Sequence, residues 1–274
     1  MKKIFFVLAI LAIAHNSNSQ NETGKRLKKV LQLKITREGG ANAAGVAWHP
    51  IQKKYYAAMA GNADFQMGVY DPSGKILHQP EQQTFFDVRG FWYNPHTKTL
   101  QANGYNEFGW AEFKLDTKGM PVSIKPLYEN VMYQPDEQSI GAYDPQYNAV
   151  YFFNADGNIS KHNYKEGFYD SEIPLHLGYT SQTEMDDDGV VENSAVKDNY
   201  NSTAIIFTGI KGSEIGLLNY VSSQIELYNI KTGFLAKKIL LPDEAPVSEW
   251  HNFSYCNGIY WLFDTKARIW KGYK

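Results

Sequence analysis

Charged side chains gather at one kind of place in this sequence, just ahead of short apolar and aromatic runs. Arg37, Glu38 and Asn42 stand before the first run, Asp87 and Arg89 before the second, and Asp136, Glu137 and Gln138 before the third. Glu249, Trp250, His251 and Asn252 stand before the last, and an acidic stretch with Glu184 and Asp186, Asp187 and Asp188 precedes the remaining one. If these groups meet, like charges repel unless they are paired, protonated or bound to a cation. Three outcomes are open. The carboxylates and arginines neutralise one another around a water-filled channel. They form a ligand site, in which Arg37 and Arg89 hold anionic groups and Trp92 and Trp250 offer flat faces to a sugar or aromatic ring. Or they do acid–base or metal chemistry, since paired carboxylates cleave glycosides and carboxylates with Asn hold Ca²⁺. Arg89 is best suited to fix an anionic group by a bidentate contact.

Other chemistries lack the required spacing. The three Asp of 186–188 are contiguous, whereas a calcium-binding EF-hand loop needs acidic residues at alternate positions. His49, His96, His162 and His251 never fall at a zinc-binding H-x-x-x-H spacing. There is no Gly-x-Ser-x-Gly elbow and no phosphate-binding loop. Four Asn-x-Ser/Thr sequons, at Asn21, Asn158, Asn201 and Asn252, matter only in a eukaryotic secretory route. Cys256 is the single cysteine, which excludes an internal disulfide, and its aromatic neighbours read as those of a buried strand thiol. Net charge is −2, with no basic field to hold a polyphosphate, so nucleic acid is excluded as a partner.

The elements that must position these residues are strands. Aromatic content is 15%, with 19 Tyr, and strands favour aromatic and β-branched side chains. Three segments share one pattern: a small-residue strand ending near Pro50, Pro95 or Pro145, a polar turn, an aromatic strand, and a third strand closed by a Gly turn. A period of about 45–50 residues with four short strands is the spacing of a β-propeller blade. Five units emerge, at 42–82, 86–131, 137–177, 203–241 and 252–271. Five blades are favoured over six, because residues 178–199 are polar and read as an inserted loop serving the fourth unit. The last unit has only three strands. Residues 28–35 alternate as a strand without a unit of their own, and placing them outermost in the last blade closes the ring.

The repeats resemble generic propeller repeats of the NHL, YVTN and lactonase-like superfamily. The resemblance lies in the aromatic-x-Pro ending of the inner strand, at Pro50, Pro95 and Pro145, and the Asp/Asn-x-x-Gly turn ending the third strand. It covers nearly the whole chain after residue 19. It implies the fold and only weakly an activity, since fold does not decide function.

The chain opens with Met1-Lys2-Lys3, an apolar run over residues 4–14 and a polar small-residue stretch to Ser19. That is the layout of a secretory signal peptide, too short in its apolar core to span a membrane. The expectation is a signal peptide at 1–19 and one all-β propeller domain at 20–274, secreted or periplasmic, with no membrane span. The expected site is the mouth of the central channel, built from Arg37, Glu38, Asp87, Arg89, Glu137, Glu249 and His251, with no metal assigned and the cofactor unknown. The expected partner is a small molecule, a carbohydrate or a protein. A glycosidase- or lactonase-like hydrolase using the same carboxylates is the alternative.

Overall fold

The computed structural model describes residues 25–36, 42–61, 66–188 and 196–274. The expected signal segment, Arg37 and Glu38 lie outside them. Nineteen strands form five antiparallel sheets. The first blade holds β2 (Asn42–His49), β3 (Lys54–Ala60) and β4 (Gly68–Tyr70), and the second β5 (Val88–Asn94), β6 (Thr99–Gly104), β7 (Trp110–Leu115) and β8 (Pro121–Tyr128). The third holds β9 (Ala142–Asp144), β10 (Ala149–Phe153), β11 (Ile159–Asn163) and β12 (Tyr169–Ile173). The fourth holds β13 (Ile206–Phe207), β14 (Ile215–Asn219), β15 (Gln224–Tyr228) and β16 (Leu235–Leu240). The fifth joins β17 (Phe253–Cys256), β18 (Ile259–Asp264) and β19 (Ile269–Tyr273) to β1 (Lys29–Lys34), in the order β1-β19-β18-β17.

The innermost strands touch in sequence, β2 with β5, β5 with β9, β9 with β13, β13 with β17, and β17 back to β2. The molecule is therefore a closed five-bladed β-propeller. Closure is made where sequence alternation placed it. Leu33 pairs with Trp270, and both are fully buried between the fifth and first blades. Lys28 and Lys274 exchange backbone hydrogen bonds of 3.1 and 3.0 Å.

Two local rules explain the repetition. Inner strands end on a side chain that caps the following turn: Asn94 Oδ1 accepts from His96 N (2.9 Å) and Asp144 Oδ1 from Gln146 N (2.7 Å). Third strands end in Asx turns: Asp116 Oδ1 accepts from Lys118 N and Met120 N, both at 2.8 Å. That turn closes on Gly119 at φ +74°, a backbone state that disfavours a Cβ.

The first blade departs from the expectation of four strands. The segment near residues 75–79 is reduced to a single bridge between Tyr70 and Ile76, made by Leu77 N to Val69 O at 2.8 Å and Asp71 N to Lys75 O at 3.0 Å. The buried His78 ring takes the ladder's place: its Nδ1 accepts from Val69 N at 3.0 Å. Pro80 follows, without an N–H to extend pairing.

Candidate functional site

Each blade delivers its first inner-strand residues to one end of the ring, where side chains replace the missing sheet pairing between blades. Asn103 is fully buried. Its Oδ1 accepts from Gly90 N (2.8 Å) and Gly141 N (3.1 Å), and its Nδ2 donates to Gln134 Oε1 (2.8 Å) and Ser139 O (2.9 Å). Asn201 does the same between the fourth and fifth blades. It donates to the carbonyls of Ser248 and His251 and accepts from Ala204 N. Asn252 Oδ1 accepts from Ala43 N at 2.9 Å, tying the fifth blade to the first.

Around this framework sits the predicted charged cluster. Arg89 is 4% exposed, and its fork is already engaged. Nη1 pairs with Asp87 Oδ1 and donates to Val88 O (3.1 Å), Nη2 reaches Asp87 Oδ2 (3.3 Å), and Nε donates to Gln138 Oε1 (2.9 Å). The guanidinium also lies 4.7 Å from the centre of the Tyr105 ring. Asp87 accepts in addition from Gly61 N at 2.6 Å. Glu137 accepts from Tyr105 Oη (2.9 Å) and Gln138 Nε2 (3.3 Å). Four of the five N–H donors of Arg89 are thus engaged by neighbouring protein groups, which tie the second blade to the third.

His251 is 6% exposed and has no protein partner for Nδ1. Burial, then the positive charge of Arg89, pushes its pKa down to about 4, with Asp87 opposing. Its ring is thus neutral near pH 7 and lies within the field of the Asp87–Arg89 pair. His251 and Asn252 both adopt left-handed backbone, φ +48° and +59°, uncommon for residues with a Cβ. Bonds from His251 N to Thr203 Oγ1 (2.8 Å) and from Asn252 N to Ala43 O (3.2 Å) hold that turn. Glu249 is exposed and joins the mouth through its backbone, its carbonyl accepting from Ser202 N at 2.9 Å.

Asp87 and Arg89 of the second blade, Glu137 before the third and His251 before the fifth thus come together, and Glu249 stays on the rim. Above them opens a cavity of about 880 Å³, lined by Asn42, Gln138, Asn154, Thr203, Trp250 and His251 among others. Trp250 is 56% exposed at its edge. Asp136 and Asp156 line it; among the described residues no Lys or Arg side chain does, and Lys197 Nζ donates to the carbonyl of Ala155 in its wall. Beneath, the axis is a narrow void of about 60 Å³ walled largely by Phe91, Ile140, Ile205 and Phe253. The axis narrows there to a small void of mixed polar and apolar walls, so the mouth is a cup with a narrow floor.

Sequence reasoning missed the fourth blade's contribution. Glu184 lies on helix α1 (Gln182–Asp188), is exposed, and bonds back to Thr180 N at 2.6 Å. It feels Lys238 of the outer strand β16, away from the mouth. The fourth blade's mouth residues are instead Asn201, Ser202 and Thr203. Their signal was Tyr200, whose hydroxyl donates to the buried Glu226 at 2.7 Å and pins the segment to the blade. Among the described residues, no three His, Cys, Asp or Glu side chains gather as a metal site requires. The Cys256 thiol is pushed up by burial, as expected of an inert strand cysteine.

No family model matches the chain, and no curated protein matches it by sequence. Among solved structures it is similar to XC5397 from Xanthomonas campestris, described as a gluconolactonase, with 9% identity over 89% of each chain and a TM-score of 0.51. It is also similar to a chain of a nidogen/laminin complex, with 11% identity over 75% of this chain and a TM-score of 0.42. The chain spans 66% of that protein's length. At 9% identity the likeness to XC5397 shows the fold alone.

Proposed function

We propose that this propeller binds a neutral, polyhydroxylated small molecule of the sugar class in the cup at its mouth. The observation that carries the reading is the lining. Among the described residues, amides and hydroxyls of Asn42, Gln138, Asn154 and Thr203 line a cup without a Lys or Arg in its wall, and an exposed indole stands at its edge. Hydroxyl groups pair with amides and hydroxyls, and the apolar face of a sugar ring packs on an aromatic plane. The cup's volume lies within the ~300–1,000 Å³ of small-molecule sites. An anionic ligand is disfavoured, because Arg89 is engaged and Asp136 and Asp156 face the same space.

Calorimetry with a panel of neutral mono- and disaccharides tests this. Binding by the native chain that is lost in Trp250→Ala is the expected result. No binding at millimolar sugar would sink it. The fold likeness to a gluconolactonase favours a second reading, hydrolysis at the same mouth. It would require two carboxylates at a defined separation facing one substrate: Asp136 and Asp156 both line the cup, whereas Asp87 and Glu137 serve as acceptors for protein donors. Turnover of sugar lactones or aryl glycosides in the same assays would promote that reading over simple binding.

A further inference from the structure

A second cavity of about 370 Å³ lies between the second and third blades and shares two wall residues, Pro135 and Asn154, with the cup. Its walls include Tyr133, Phe168 and Tyr169. Phe168 and Tyr169 are 57% and 58% exposed, and Met132 beside them is 41% exposed. Large apolar faces left in water at a cavity wall mark a binding surface. The rings are held in place: Phe168 packs at 5.3 Å from Tyr133, and Tyr169 at 6.1 Å from His162.

Polar atoms point the same way. Among the described residues, buried atoms without a protein partner include His251 Nδ1, Asn154 Oδ1 and Ser160 Oγ. His251 lines the cup, Ser160 the second cavity, and Asn154 both. Ser160 and His251 are 2% and 6% exposed. Buried polar groups are nearly always hydrogen-bonded, so three unpartnered ones along the walls of adjoining cavities mark where an outside group would supply the bond.

We infer that the two cavities form one trough and that its occupant is a linear neutral oligosaccharide rather than a single sugar. The inference rests on the sugar-binding reading of the cup and extends it outward along the third blade. Together the cavities exceed the ~1,000 Å³ upper range of a single small-molecule site. Trp250 stands at one end and Phe168 with Tyr169 at the other, which suits sugar units stacked at both ends with hydroxyls bonded between. Among the described residues neither cavity has a Lys or Arg in its wall, so a charged polysaccharide or a nucleic acid finds no counter-ion among them.

The test measures affinity against chain length, using glucose-, xylose- and N-acetylglucosamine-based oligosaccharides of one to six units. Native protein should bind at least one series about tenfold more tightly at four units than at one. Phe168→Ala with Tyr169→Ala, both exposed and so harmless to folding, should abolish that gain and leave the shortest ligand's affinity unchanged. Affinity independent of length, or length dependence that survives the double variant, overturns the trough while leaving the cup reading intact. Failure of every sugar to bind native protein removes both. Competition by an unstructured peptide, relieved by the same double variant, would assign the trough to a protein partner and overturn the oligosaccharide.

Discussion

Removing the strand that closes the ring should cost as much as the fold has to give. β1 lies outermost in the fifth blade and pairs with β19 from Lys29↔Tyr273 to Lys34↔Ile269. Leu33 and Ile35 are 0% and 2% exposed, and Leu27, just ahead of the strand, 5%. Fully burying each such side chain is worth ~1.5–3 kcal/mol, hence about 5–9 kcal/mol for three as an upper bound, against a total stability of about 5–15 kcal/mol. Deletion to residue 35 also strips backbone partners from Arg268, Leu240 and Lys274, and Lys34 O from the Tyr70 hydroxyl at 2.8 Å. A milder form is Leu33→Ala, expected to cost about 2–5 kcal/mol. For a domain of this size each kcal/mol moves Tm by ~2–4 °C, so a fall of about 4–20 °C should appear by calorimetry or circular dichroism. Val30→Ala, on the same strand but 52% exposed, should change Tm by no more than about 2 °C. Equal effects of the two substitutions, or an unchanged Tm in the deletion, would refute closure by this strand.

Arg89→Ala should lower stability by about 2–4 kcal/mol in urea unfolding, because it strands the Asp87 carboxylate among groups arranged around a cation; an unaltered midpoint would show the pair to be ornamental. Asn103→Ala should cost a similar amount, since one amide serves four partners across two blades, and Asn103→Asp should not rescue it. His251 makes stability depend on pH. Its folded pKa near 4 lies below the unfolded 6.5, so the unfolded chain binds the extra proton and stability falls as pH drops from 6.5 toward 4, by about 3 kcal/mol for this group. His251→Gln should flatten that slope in pH-resolved urea titrations, and an identical slope would reject the assignment. Replacing residues 181–195 with a Gly-Ser linker should leave stability within about 1 kcal/mol, because Tyr179 and Tyr200 tie the flanks to the fourth blade; global unfolding would show that the segment is structural.

Much of the ring was legible in the chain because repetition and alternation are properties of the sequence itself. Pro50, Pro95 and Pro145 mark the same turn in three blades, and the alternation of Leu31, Leu33 and Ile35 against Gln32 and Lys34 gave the closing strand its register and face. What stayed hidden depends on three-dimensional partners. The first blade loses its fourth strand to a histidine ring that accepts a ladder N–H, which no propensity encodes. The fourth blade's mouth residues follow a stretch without strand pattern and are set by Tyr200 meeting Glu226. Arg89 reads as a ligand donor in sequence, but its neighbours Asp87 and Gln138, from adjacent loops, consume it first. A charge is legible in sequence; whether it is already spent is not.

The closing strand has a kinetic consequence. Leu33 meets Trp270 across nearly the whole length of the chain, so their contact carries a large loop-closure cost that no earlier pairing reduces until the intervening blades are in place. In a chain made from its N-terminus, this strand emerges first and finds its partner last. For that interval it is an unpaired edge with an apolar face, the kind of segment that seeds misassembly between copies. Lys28 and Lys29 precede that face and Lys34 lies on the opposite one, and lysines on an edge repel a second copy of the same strand. The same residues that sit harmlessly in solvent once the ring is shut would thus act earlier, as guards on an open door.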